Sequence, residues 1–171
     1  MADPKKGSSK GIIVLVVVAV LVVLVVPCIG VLAAVAIPSF IGYTRRSKVT
    51  EARSNLRLLA GLVERRCATE RVATAQAGLP EATGPVPTVV PAGVAVVATS
   101  ELAASTVFRD LGFAPTEPLR YAYEIVREGD AALLRARGDL DGDGQTSLFE
   151  LRCEGRACTC DSVVRVENEL E

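Results

Sequence analysis

The run Asp139-Leu140-Asp141-Gly142-Asp143-Gly144-Gln145-Thr146-Ser147-Leu148-Phe149-Glu150 could hold a cation. It completes the pattern D-x-[DN]-x-[DN]-G-x5-E. Three carboxylates at alternate positions can converge as the chain turns at Gly144. Gln145 can add its backbone carbonyl, and Glu150 can close the shell with two oxygens. An all-oxygen donor set favours Ca2+ over softer metals. A solvated acidic turn is the plainer alternative, because Asp and Gly are common in turns. The full twelve-residue match favours the metal. The residues before it, 121–137, read as β rather than as an entering helix, and Thr146 stands where an aliphatic is usual. The expectation is therefore an isolated, weak calcium loop bracing a sheet edge, not a helix-opening sensor.

Cysteine is the second reactive group. Cys67, Cys153, Cys158 and Cys160 form an even set outside the apolar N-terminal run, and three of them fall within eight residues. Four cysteines allow three pairings. A bridge from Cys67 to the C-terminal segment would leave a pair to close a small loop, and a direct Cys158–Cys160 bond is the least favourable geometrically. Four thiolates could instead hold tetrahedral Zn2+, but the spacing is not that of a standard zinc knuckle. Disulfides are expected, and with them an oxidising compartment. Cys28, inside the apolar run, reads as a small membrane-facing hydrophobe.

Other chemistry is not indicated. The chain has no histidine, so the commonest general base and transition-metal ligand are missing. There is no GxSxG, no phosphate-binding glycine loop and no Cys/His pair, so no enzymatic activity is expected. With 19 basic and 20 acidic residues, bulk electrostatics argue against a nucleic-acid partner.

The elements that position these groups follow from hydropathy. Residues 1–10 read as a short polar tail with Lys5, Lys6 and Lys10. No side chain from Gly11 to Phe40 is charged, whereas a bilayer core needs only about 20 helical residues. Residues 11–41 therefore read as a transmembrane helix, with Pro27 and Pro38 as expected kink sites. The helix is expected to continue over 42–76. There Val49, Ala52, Leu56, Leu59, Val63 and Cys67 recur at spacings of three and four, which marks one apolar face. The opposite face carries Arg45, Arg46, Lys48, Arg53, Arg57, Arg65 and Arg66, as a solvated or an interacting surface.

The helix is expected to end between Thr74 and Gly78. Residues 77–118 form a connection whose first part, 78–93, is too rich in Pro and Gly for helix or central strand. A short helix is expected over 100–112, capped by Ser100 and stopped by Gly112. Strands are expected over 119–127, 131–137, 147–153 and 162–166, with a turn at Glu128-Gly129-Asp130. The fold class is α+β: one long helix packed on a small antiparallel sheet in 119–171.

Residues 29–60, from IGVLAAVAIPSF through Tyr43, the RRSK at 45–48 and the EARSNLRLL run, resemble the N-terminal helix of type IV pilins and type II secretion pseudopilins. The segments LGFAPTEPLRYAYEI and ARGDLDGDGQTSLFE are also similar to stretches of pilin-like proteins. The resemblance implies a subunit of the bacterial inner membrane, with the N-terminus cytoplasmic and the head periplasmic. Assembly machinery would draw such subunits into a homo- or hetero-oligomeric filament cored by these helices. Gly30, Ala33, Ala34 and Ala36 would let helices approach closely. The family's leader is cut before a helix whose fifth residue is Glu. With the IGVLAAVAIP core aligned, the cut falls after Val16 and the Glu position at Leu21. A cut after Gly11 would put Val16 there instead. No acid occurs from residue 4 to 50. A permanently anchored, non-polymerising envelope protein that binds a ligand or partner through its head is therefore the second expectation.

Overall fold

The computed structural model describes residues 9–74 and 78–170. The expected tail, apart from residues 9 and 10, and the expected end of the helix at 75–77 lie outside the described residues. The chain divides into two compact units, Met1–Tyr43 and Thr44–Glu171.

The described residues of the first unit are helical, as the start of α1 (Ser9–Thr74), and the helix runs through Pro27 and Pro38. Its large apolar side chains from Ile12 to Phe40 are exposed. It is long and apolar enough to cross a membrane.

The second unit is built on the other part of α1. Val49, Ala52, Leu56, Leu59, Val63 and Cys67 are all buried, so the spacing of three and four did mark the inward face. They join one core with Phe108, Phe113, Tyr121, Tyr123, Ile125, Leu134 and Phe149. Burying a Leu or Phe side chain contributes roughly 1.5–3 kcal/mol. Phe113 packs on both Phe108 and Tyr123, with ring centroids 5.4 Å apart in each pair. Tyr121 meets Phe149 edge-on at 5.5 Å. Burial pushes the hydroxyls of Tyr121 and Tyr123 well above their ordinary pKa, so both stay neutral. The Tyr123 hydroxyl accepts a hydrogen bond from Asn55 Nδ2 at 2.9 Å.

The sheet is antiparallel. β1 (Ala122–Glu128) and β2 (Ala131–Gly138) form a hairpin closed at the pair Glu128–Ala131. Gly129 supplies the positive φ, 57°, that this two-residue turn requires. β3 (Ser147–Glu154) pairs with β2 from Gly138–Ser147 to Ala131–Glu154. The outer edge of β3 is shared by β4 (Thr159–Cys160), paired at Cys153 and Glu154, and β5 (Arg165–Glu167), paired at Leu148 to Glu150.

Three local expectations are corrected. The helix expected over 100–112 is two helices, α2 (Thr99–Ala104) and α3 (Thr106–Leu111). Ser100 lies inside α2; the capping serine is Ser105, extended at ψ 113°, whose hydroxyl accepts from Phe108 N. Gly112 ends α3 at φ 75°, as expected of a C-terminal glycine. The first strand starts at Ala122 rather than Leu119, because Leu119 pairs with Val96 and the Arg120 amide donates to Glu51. The 78–93 connection is held to the sheet: Val86 and Tyr123 exchange backbone hydrogen bonds of 2.9 and 2.8 Å.

Two disulfides close the unit. Cys67 of α1 is bonded to Cys158, and Cys153 of β3 to Cys160. All four thiols are consumed, which removes them as zinc ligands. Cys28 is free and exposed. The bonds span 91 and 7 residues, and a chain-entropy argument assigns about 4.6 and about 2.4 kcal/mol to loops of those lengths. The Cys67→Ser/Cys158→Ser double variant should therefore lose more stability than Cys153→Ser/Cys160→Ser. Urea unfolding of both in detergent, beside the parent chain, checks the order.

Candidate metal centre

The acidic loop occupies the β2–β3 connection. Gly138 and Ser147 form the last pair of the ladder, and the Ser147 hydroxyl donates to the Gly138 carbonyl at 3.0 Å. A side chain at Gly138 is excluded by close packing: a Cβ there would lie 2.6 Å from Tyr121 Cδ1 and 2.8 Å from the Arg120 carbonyl oxygen.

Asp139 organises the turn. It is buried, and both of its carboxylate oxygens accept backbone amides, from Gly142 at 2.6 Å and Gly144 at 3.0 Å. Its own amide donates to the Pro91 carbonyl at 3.2 Å, and its carbonyl accepts from Gly93 N at 2.7 Å. The 78–98 connection thus braces the loop from outside. The chain reverses through Gly142 and Gly144, at φ 79° and 93°, a region that side-chain-bearing residues rarely adopt.

Asp141 Oδ2 is 3.0 Å from Arg45 Nη2, and Arg45 Nη1 also donates to the Leu170 carbonyl at 3.4 Å. Asp143 accepts the Gln145 amide at 2.8 Å and Gln145 Nε2 at 3.0 Å. One carboxylate oxygen from each of Asp139, Asp141 and Asp143 lies within 4.8 Å of the others. Oxygens around a hard cation at 2.3–2.6 Å are separated by no more than about 5 Å. The three aspartates could therefore hold a metal ion.

The aspartate group does not include Glu150. Gln145 is engaged with Asp143 through its amide and side chain. Glu150 lies outside the aspartate group, and its carboxylate accepts from Arg135 Nε at 2.8 Å across the β2–β3 ladder. The reason is the strand. Returning a twelfth residue to the loop needs a compact exit, whereas here the chain is extended from Ser147. Each strand residue advances about 3.3 Å, so Glu150 is carried away along β3 and paired with its cross-strand neighbour. The sequence reading missed Arg45 and the Pro91–Gly93 backbone. Arg45 is one of a basic series with no mark of its own, and backbone partners leave no residue-type signal.

Comparison of the chain with protein-family models, with curated proteins and with solved structures finds no match.

The arrangement separates the roles of the aspartates. Asp139→Ala should destabilise the second unit by about 1–3 kcal/mol even in chelator, because it removes the carboxylate that accepts the Gly142 and Gly144 amides. The Asp143 carboxyl is held below its ordinary value of 3.8 by the hydrogen bonds from Gln145. A depressed carboxyl contributes stability above its ordinary value and loses it as pH falls through the lowered one. Thermal melts of the parent and Asp143→Ala in chelator should differ slightly above pH 3.8 and converge as pH falls below it.

Proposed function

We propose that this chain is a membrane-anchored structural protein of the pilin-like class, a subunit of a type IV pilus or type II secretion-like filament. The supporting observation is the division of labour within α1. Its residues 11–40 are uncharged, with their large apolar side chains exposed, while Val49 to Cys67 supply the core of the head. Such a helix suits lipid before assembly and neighbouring helices afterwards. The head is extracytoplasmic in this reading, which accords with two disulfides.

The ion at the aspartate cluster is Ca2+ in the same reading, since the donors are hard oxygens. Three carboxylates are few for a calcium shell of 6–8, so waters complete it and the affinity is low. The role of the ion is to brace the loop against the mutual repulsion of its carboxylates.

A second reading has its own support. Leu21 and Val16 stand at the positions where the resemblance implies Glu, and a charge pair in an apolar surround would be strong. Its loss favours a permanently anchored envelope protein that does not polymerise. Intact mass and a shearing experiment separate the two. A filament subunit appears in the sheared fraction, shortened at its N-terminus. Full-length protein confined to the membrane fraction would retire the filament reading and leave the anchored one.

Calcium is tested separately. Millimolar Ca2+ should raise the melting temperature of the parent chain and leave Asp141→Ala unmoved. Equal melting of both with and without Ca2+ would reduce the loop to a turn.

A further inference from the structure

The hydrogen bonds of residues 86–96 trace an excursion along the head. At Val86 the segment is bonded to Tyr123, whose hydroxyl meets Asn55 of α1. At Pro91 and Gly93 it is bonded to Asp139, in the loop whose Asp141 pairs with Arg45. At Val96 it has returned to Leu119, next to Arg120, which is bound to Glu51. Through these partners the segment is tied first toward Asn55, then toward Arg45, and then toward Glu51 of α1. Ten helical residues are about 15 Å, so the tip, Val89 to Val94, lies at the Arg45 pole of the head.

That tip is apolar. No charged residue occurs between Glu81 and Glu101. Val89 is 79% exposed, Val94 67% and Val97 66%. Of the six exposed large apolar side chains described in residues 44–170, Val89 and Val94 lie on the tip, and Val96 and Val97 follow it in the chain. Exposed large apolar side chains gathered in one short segment point to a contact surface. Arg45 is the first charged residue after the uncharged span, five positions beyond Phe40. The patch therefore sits at the pole of the head where the chain arrives from that span.

We infer that the Val89–Val94 tip is a second membrane contact, seated in the interfacial layer of the bilayer. This rests on the membrane-anchored reading above. The occupant is the apolar boundary of a phospholipid bilayer: the tip itself carries no charged residue, so the contact needs no headgroup charge and a zwitterionic lipid suffices.

The chain contains no tryptophan, so one introduced indole reports alone. Val22→Trp, Val89→Trp, Val94→Trp and Val163→Trp are made in the full chain, each at an exposed valine. Each is reconstituted in phosphatidylcholine vesicles with and without brominated acyl chains. The expected result is blue-shifted emission, strongly quenched by brominated lipid, for Val22→Trp and for both tip variants, with Val163→Trp unquenched. Quenching at Val22→Trp but at neither tip variant overturns the inference and leaves the anchor intact. No quenching at Val22→Trp removes the membrane reading and this inference with it. Tip emission that shifts to the blue without quenching, and only at high protein-to-lipid ratio, assigns the patch to a second copy and also overturns the inference.

Discussion

One apolar stripe on α1 makes the head possible. Val49, Ala52, Leu56, Leu59, Val63 and Cys67 are buried together, and the rings of Tyr121, Tyr123, Phe113 and Phe149 share the core with them. The sheet brings Tyr123, Ile125, Leu134, Phe149 and Leu151 to the same core. The helix supplies a ready-made cover, and helix and sheet bury each other's surface at once. The polar contacts then fix the register of helix on sheet: Glu51 to Arg120, Asn55 to Tyr123 and Glu64 to the Cys160 amide. They lie along the helix at intervals of four and nine residues, so a slide by one turn would break all of them.

The acidic loop shows how structure precedes any ion. Asp139 spends both carboxylate oxygens on loop amides, so the turn is set by backbone satisfaction. Asp141 and Asp143 are placed by Arg45 and by Gln145. A cation would join a loop already shaped, which favours weak, reversible binding over a folding nucleus. The basic helix face and the acidic C-terminal part also meet within one chain, through Arg45–Asp141 and Arg53–Glu169.

Much of this was legible in the sequence because periodicity reports burial directly. The inward face of α1 and the β1–β2 hairpin at Gly129 follow from spacing and turn chemistry. The Cys67 bridge to the C-terminal segment was one of the pairings anticipated. The misses share a cause. β4 is two residues long and exists only because β3 offers its edge. The split between α2 and α3 depends on one extended serine. Glu150 matched a motif by spacing, but a motif does not state whether its last residues are extended, and here Arg135 lies directly across the ladder. Arg45 and the Pro91–Gly93 brace are tertiary partners, remote in the chain from the loop they hold.

The disulfides have a mechanical meaning. Cys67–Cys158 joins α1 to the segment after β3, and Cys153–Cys160 joins that segment back to β3, a strand paired along both edges. Tension drawn along α1 would reach β3 through covalent bonds. The connection from 78 to 121, held by short runs of hydrogen bonds, is bypassed as a load path and need not lengthen. A chain pulled along α1 would keep its second unit closed until a covalent bond failed or the β3 ladder sheared.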